Sequence, residues 1–260
     1  MDLAMPLAPE TIADLRRSIA DRGVLVFRDQ QLSVDQQIEF ARQFGRLYIH
    51  PTAGSIARER REVIPIHADE KTKVVFGEDW HTDASCDLEP PLGSILKLTE
   101  VPEIGGDTLF ASMYAAYEAL SAPIKRLLEG LTAVHDGALV YRGSSFERRE
   151  YPRNRHPVIC VHPESGRKLI FVNSMYVSRI VGLSPAESDA VLQMLFRHIA
   201  RPEFQCQVKW REHTVVFWDN RCVQHMAVFD YFPQRRVGTR VQICGTQPTG
   251  EQTVEGVLAA

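Results

Sequence analysis

His81 and Asp83 stand two positions apart in WHTDASCD, residues 80–87, a stretch otherwise made of small or apolar residues. On an extended chain that spacing sends both side chains to one face. Such a pair can make a surface hydrogen bond of no consequence, or it can share a metal ion. A shared ion needs a third ligand, and the chain offers nine histidines: His50, His67, His81, His135, His156, His162, His198, His213 and His225. His198 sits in an amphipathic run beside Arg197. His156 and His162 precede prolines, and His213 lies in the polar REHT. These read as satisfied structural histidines. His225 differs, because it closes VVFWDNRCVQH, where an apolar run ends in a charged cluster. It is far enough from Asp83 to come from a separate strand. Two imidazoles and one carboxylate on one face of an octahedral ion leave three positions open, the set that suits a non-haem Fe(II) oxygenase. A structural zinc site would close its shell with four ligands. The same three groups could hold zinc or manganese in a hydrolase or a cupin-like binding protein, and the spacing alone leaves that alternative open.

The elements that must hold these residues are legible from periodicity. Ile12, Leu15 and Ile19 recur at helical spacing over residues 10–22, and Gly23 follows as a stop. VLVF at 24–27 reads as a buried strand. Ser33 with Gln36 makes a capping box that opens a second helix through Ile38, Ala41 and Phe44. SILKLTEV at 94–101 and TLFAS at 108–112 read as strands joined by a Gly105-Gly106 turn, and a helical interval interrupted at Pro123 follows over 113–130. VICVH at 158–162 and KLIFV at 168–172 flank PESGR as a hairpin. Ser184, Pro185 and Glu187 open a helix with Leu192, Leu195 and Ile199 on one face. VVFWD at 215–219 and RVQIC at 240–244 are the last strong strands. Strands do not alternate regularly with helices, which argues against a doubly wound parallel sheet and for an antiparallel sandwich or barrel with helices outside. Residues 136–157 are polar and weakly periodic, so a long exposed lid loop is expected there. A short C-terminal tail is expected from residue 246.

With 260 residues and 44% hydrophobic composition, the chain can build a substantial core, and residues 1–260 read as a single domain. The formal charge is −3, with acidic and basic residues interspersed, so neither a nucleic acid nor a membrane is indicated as a partner. The basic piece Arg58, Arg60, Arg61 is short, is followed by Glu62, and reads as solvated. No apolar stretch approaches the roughly 20 residues of a membrane span, and MDLAMPLAPE has no secretory character. The five cysteines are scattered without a CxxC pair, which argues against a disulfide framework. The expected compartment is the reducing cytoplasm, and a homo-oligomer, dimer or tetramer, is the expected assembly.

Ordered segments along nearly the whole chain carry a resemblance. They are FGRLYIHP (44–51), WHTD (80–83), PPLGSIL (90–96), GGDT (105–108), AAYEALS (115–121), HPESG (162–166), RPEF (201–204), WDNR (218–221), QH (224–225) and DYFPQRR (230–236). In these the chain resembles the taurine dioxygenase/2,4-dichlorophenoxyacetate dioxygenase (TauD/TfdA) family of Fe(II)- and 2-oxoglutarate-dependent enzymes. The resemblance implies a mainly β fold with flanking helices around a double-stranded β-helix (jelly-roll, cupin-like) core. It implies His81, Asp83 and His225 as iron ligands, 2-oxoglutarate and O2 as cosubstrates, a small organic acid as substrate, and succinate and CO2 as co-products.

Arg236, eleven positions beyond His225, matches the arginine that binds the distal carboxylate of 2-oxoglutarate. The planar guanidinium fork suits that task. Thr108 matches a hydroxyl that helps hold the same carboxylate. Arg235 should point to the opposite face of its strand. Arg240, four positions on, shares the face of Arg236 and matches the arginine that meets the substrate anion in sulfonate and sulfate members. His50 matches a histidine lining the substrate pocket. Two positions depart from the taurine enzyme: its amine-contacting tyrosine aligns with Ala53, and its asparagine ahead of His-x-Asp aligns with Gly77. Both losses remove polar side chains, so taurine is disfavoured and a larger or less polar acid is expected, such as an alkyl sulfonate, alkyl sulfate or aryloxyalkanoate. Phe110, Met113 and Met226 are candidate lining residues. A second-carboxylate site at Arg236 and Thr108 is what a hydrolase would not need.

Overall fold

Pro9–Arg22 (α1) runs directly into Val24–Phe27 (β1), because Gly23 takes the left-handed conformation at φ 75° and its N–H closes the helix on Ile19. The capping box forms as expected at Val34–Arg42 (α2), with Ser33 and Gln36 exchanging side-chain and backbone hydrogen bonds. The computed structural model describes residues 1–50, 60–142 and 150–251. Next come Leu47–Tyr48 (β2), Val63–Ala68 (β3), Gly93–Glu100 (β4) and Thr108–Ser112 (β5). Met113–Glu118 (α3) and Ala122–Leu128 (α4) lead to Thr132–Asp136 (β6), Ala138–Tyr141 (α5) and Arg153–Pro157 (β7). Ile159–Val161 (β8), Lys168–Ile170 (β9) and Val177–Ile180 (β10) precede the second capping-box helix, Pro185–Ile199 (α6). A 3-10 turn at Pro202–Phe204 leads to Gln205–Val208 (β11), Val215–Asp219 (β12), Val223–Ala227 (β13) and Arg236–Ile243 (β14).

The main sheet has the order β1-β12-β4-β14-β2, with β3 also pairing β14, and a second sheet has the order β11-β5-β13. Every strand pair among the described residues is antiparallel. The core is a jelly roll. Alternation along the central strands separates two apolar cores. Ile95 of β4, Val215 and Phe217 of β12, and Val241 and Ile243 of β14 pack beneath α1 and α2 with Phe40 and Phe44. Leu96, Leu98, Val216 and Trp218 face the other way, toward Phe110 and the second sheet. On β14 this same alternation turns Thr239 toward Gln37 of α2 and Gln242 toward Ser94. No helix among the described residues is long and apolar enough to cross a membrane.

The structure departs from the expected loop at 136–157. Ala138–Tyr141 is helical, and Arg153–Pro157 is a strand paired to β6 through Ala133 and His156. Tyr141 and His156 are buried, so polarity and weak periodicity hid a strand built of alternating Arg, Asn and His. Residues 143–149 of that stretch lie outside the described residues. Beyond β14, the chain is tied down as far as Glu251: Val161 N–H donates to the Thr249 carbonyl, and Lys168 Nζ bonds Glu251. β3 escaped the sequence reading because Pro65 interrupts it; among the described residues its one partner is β14, and a proline is tolerated on such an edge.

His135 on β6 and His156 on β7 are fully buried, ring centroids 5.0 Å apart. Burial, with His156 nearby, pushes His135 from its ordinary 6.5 down to about 3. The folded chain therefore excludes a proton that the unfolded chain takes up below pH 6.5. The stability term is complete above pH 6.5 and is lost as pH falls toward 3, at about 1.4 kcal/mol per pH unit. Urea unfolding between pH 6.5 and 5 should show stability falling more steeply with pH in the wild type than in His135→Leu, by about 1.4 kcal/mol per pH unit. Equal slopes in the two proteins would exclude His135 as its source.

Candidate metal centre

His81 and His225 are brought together by a single antiparallel bridge. His81 N–H donates to the His225 carbonyl at 3.1 Å, and His225 N–H returns the bond at 2.9 Å. Residues directly opposite in such a pair share a face, and the two rings lie 4.1 Å apart, centroid to centroid. The regular strand expected through 80–83 is not formed. The chain pairs only at His81 and then turns, with Ala84 at φ 45°. The turn still brings Asp83 back to the same point: its Oδ1 is 3.7 Å from His81 Nε2 and 3.8 Å from His225 Nε2. All three residues are buried, and their ligand atoms lie within 4.8 Å of one another.

The donor set is in the protonation state that a divalent ion needs. His81 Nδ1 lies 2.8 Å from the Asp79 carbonyl, and a carbonyl only accepts, so Nδ1 carries the proton and Nε2 presents its lone pair. Burial pushes both His81 and His225 below the ordinary imidazole value, keeping them neutral. Burial alone would raise Asp83, but the Arg240 guanidinium and a hydrogen bond from Ser94 hold its carboxyl well below the usual range. His225 Nδ1 is buried without a partner among the described residues.

Three strands fix the carboxylate. Ser94 Oγ, on β4, donates to Asp83 Oδ2 at 2.7 Å, and itself accepts from Asn220 Nδ2 and Gln242 Nε2, each at 3.1 Å. Trp218 Nε1, on β12, donates to Asn220 Oδ1 at 2.9 Å. Arg240 of β14 donates to Asp83 Oδ1 at 3.0 Å. Sequence reasoning singled out neither Ser94 nor Gln242 and met Asn220 only within WDNR; single amides and hydroxyls carry no periodic signal. Gly77 also has a role that the alignment missed. At φ 89°, a β-carbon there would lie 2.8 Å from His81 Cε1, so the missing side chain is a condition for seating His81 rather than simply added room.

One cavity of about 260 Å³ contains the three candidate ligands and is also lined by Arg236, Thr108, Arg240 and His50. Arg236 is only 7% exposed, its Nε has no partner, and it makes no ion pair among the described residues. Its Cζ lies 5.6 Å from the centre of the Trp210 ring. Burial pushes its guanidinium below the ordinary value, partly offset by Tyr231 and Asp107. Trp210 Nε1 donates to Thr108 Oγ1 at 3.0 Å, leaving the threonine hydrogen to donate. Arg235 is exposed and bonds Glu100 at 2.8 Å. Ile64, Ile66, Val74, Phe76, Val140 and Met175 make much of the remaining wall apolar. Phe110 stacks on His225 at 5.9 Å within the core, and Met113 packs there too. Neither of them nor Met226 lines the cavity, and Ala53 lies outside the described residues.

A second cluster, His162, Asp219 and Cys222, has its ligand atoms within the same 4.8 Å limit. Its groups are already committed. His162 Nδ1 accepts from the N–H of Glu164 and of Ser165, so Nε2 carries the proton and donates to Asp219. Asp219 also holds Arg221 through two guanidinium bonds. That cluster is structural.

A jelly roll with two histidines and one aspartate converging on a cavity has the arrangement of a metal centre in a cupin-like fold. The chain belongs to the TauD/TfdA family: the model described as "Taurine catabolism dioxygenase TauD, TfdA family" matches residues 1–242. It is similar to the alkylsulfatase of Acinetobacter baylyi, 34% identical over 268 residues, covering 98% of this chain and 83% of that protein. It is 34% identical over 256 residues to the alpha-ketoglutarate-dependent 2,4-dichlorophenoxyacetate dioxygenase of Cupriavidus pinatubonensis, covering 86% and 85%. A solved taurine dioxygenase from Burkholderia xenovorans superposes with a TM-score of 0.84 at 33% identity, covering 98% of this chain and 91% of that one. The chain spans less of its fungal relatives, 63% of one from Schizosaccharomyces pombe and 57% of one from Saccharomyces cerevisiae.

Proposed function

We propose that this chain is an Fe(II)- and 2-oxoglutarate-dependent dioxygenase that hydroxylates a C–H bond of a small organic anion, with succinate and CO2 as co-products. The observation that carries this reading is Arg236, a buried cation held in no ion pair among the described residues, beside Thr108 in the cavity that holds His81, Asp83 and His225. A hydrolase or a simple metal-binding protein has no use for it.

His81, Asp83 and His225 would hold the iron, with two neutral imidazoles and one ionised carboxylate as its donors. Iron, when bound, supplies the activation of dioxygen that couples 2-oxoglutarate decarboxylation to C–H hydroxylation. The protein's own task is positioning and water exclusion. Arg236 takes the distal carboxylate of 2-oxoglutarate through its planar fork, and Thr108 donates its free hydrogen to the same group. Ser94 and Arg240 hold Asp83 from two sides and keep it ionised. Arg240 is therefore partly compensated by Asp83 already. Its buried Nε has no partner among the described residues, and that donor supports a further role toward the acid group of the substrate. His50 borders the same space.

The apolar wall of Ile64, Val74, Phe76, Val140 and Met175 suits the body of an alkyl sulfonate, alkyl sulfate or aryloxyalkanoate better than the ammonium group of taurine. Two measurements test the reading. Anaerobic addition of Fe(II) and then 2-oxoglutarate should produce the visible charge-transfer band of a keto acid chelated to iron; its absence would sink the reaction class. A panel of these anions, with taurine included, should show tight coupling of succinate to product for an anion without a free amine. Taurine as the best coupled substrate would overturn the substrate class and leave the iron chemistry standing.

A further inference from the structure

Asp83 is followed by a turn whose conformation local sequence does not enforce. Ala84 sits at φ 45°, a region that favours glycine, and the turn is closed by Asp87 N–H to the Ala84 carbonyl. Its polar groups are held from outside, largely by one sheet. On β7, His156 Nε2 lies 2.9 Å from the Asp87 carbonyl, and Asn154 Nδ2 donates to the Cys86 carbonyl at 2.7 Å. On β6, His135 Nδ1 bonds Ser85 Oγ at 3.0 Å, and Asn173 Nδ2 donates to the same oxygen at 2.9 Å.

The His135–His156 pair is a costly way to fill that space. Both rings are fully buried, and each keeps one nitrogen, His135 Nε2 and His156 Nδ1, without a partner among the described residues. An aliphatic side chain of similar volume would avoid that desolvation cost. What it would not provide is an N–H aimed at the turn. Because a carbonyl only accepts, the proton of His156 must sit on Nε2, so its one donor is committed to Asp87.

We propose that His156, seconded by Asn154, is a positioning residue for Asp83: it fixes the 84–87 turn so that the carboxylate meets His81 and His225. The proposal rests on the iron reading above. It concerns residues on a sheet that supplies none of the three ligands and is separate from the strands carrying Ser94 and Arg240.

The test compares His156→Leu, which fills the space without a donor, with His156→Gln, whose side-chain amide places an N–H where Nε2 was. Anaerobic Fe(II) titration of the apoprotein gives the affinity, and thermal unfolding of the same samples gives the folded fraction. His156→Leu should bind Fe(II) at least about tenfold more weakly while remaining folded, the range seen when partners behind metal ligands are removed. His156→Gln should recover most of that loss. Should His156→Leu not fold, Asn154→Ala is expected to shift the affinity in the same direction by a smaller factor. Wild-type affinity in folded His156→Leu, or in folded Asn154→Ala when the leucine variant fails, would overturn the proposal. So would an equal loss in the leucine and glutamine variants. If the wild type itself does not bind Fe(II), it is the iron reading that fails.

Discussion

Arg236→Gln should raise the 2-oxoglutarate concentration needed for half-maximal turnover by roughly thirtyfold or more, while Arg235→Gln should leave it within about threefold. The two residues are adjacent and carry the same charge, but Arg236 opens β14 facing the cavity while Arg235, just before the strand, faces outward. Arg236 is buried in the cavity and makes no ion pair among the described residues, whereas Arg235 is exposed and bound to Glu100. Losing a charge-assisted contact from a desolvated site costs about 2–5 kcal/mol, and each 1.4 kcal/mol is about a factor of ten. An exposed pair such as Arg235–Glu100 contributes about 0–1 kcal/mol. The measurement is the 2-oxoglutarate dependence of succinate formation at saturating Fe(II). A larger effect at Arg235 would show that strand facing does not identify the carboxylate site.

The second large effect is expected at the metal. His225→Ala should weaken Fe(II) binding by on the order of a hundredfold or more and abolish turnover, since it removes a ligand itself rather than a partner behind one. Asp83→Ala should do the same but should also lower thermal stability, because it strands the Arg240 guanidinium that Asp83 now compensates. His225→Ala leaves no charge behind, so it separates ligation from folding more cleanly. Anaerobic equilibrium titration followed by thermal unfolding measures both. Near-normal Fe(II) affinity in His225→Ala would remove this histidine from the site.

Both expectations began from residues legible in the sequence, and the limits of that reading have physical causes. The helices announced themselves through capping boxes at Ser33 and Ser184, which are local hydrogen-bond patterns and survive without tertiary context. Strands with strong apolar content, VVFWD and SILKLTEV, were equally plain. β7 was lost because its pattern, RNRHP, is polar on both faces and only tertiary packing buries His156. In the site, a rare pairing of residue types marked His81 and Asp83. The groups that hold Asp83 in place, Ser94, Asn220 and Gln242, come from distant strands and are unremarkable one at a time. Gly77 illustrates a different limit. Its absent side chain was visible and suggested empty space, whereas the backbone angle and the His81 ring show that the space is occupied.

The two-faced construction of β14 has a consequence for how this chain can change length. Arg236, Arg240 and Gln242 are directed to the site, while Thr239, Val241 and Ile243 serve the helical side, so function and core alternate residue by residue. Losing or gaining one residue inside Arg236–Ile243 would exchange the two sets, driving guanidinium groups beneath α1 and α2 and aliphatic side chains into the cavity. No neighbouring substitution could mend that. A change of length is therefore tolerable only outside the strand, whereas wall residues such as Val74, Val140 and Met175, which are not strand residues of the sheet that fixes Asp83, can be replaced without shifting its register.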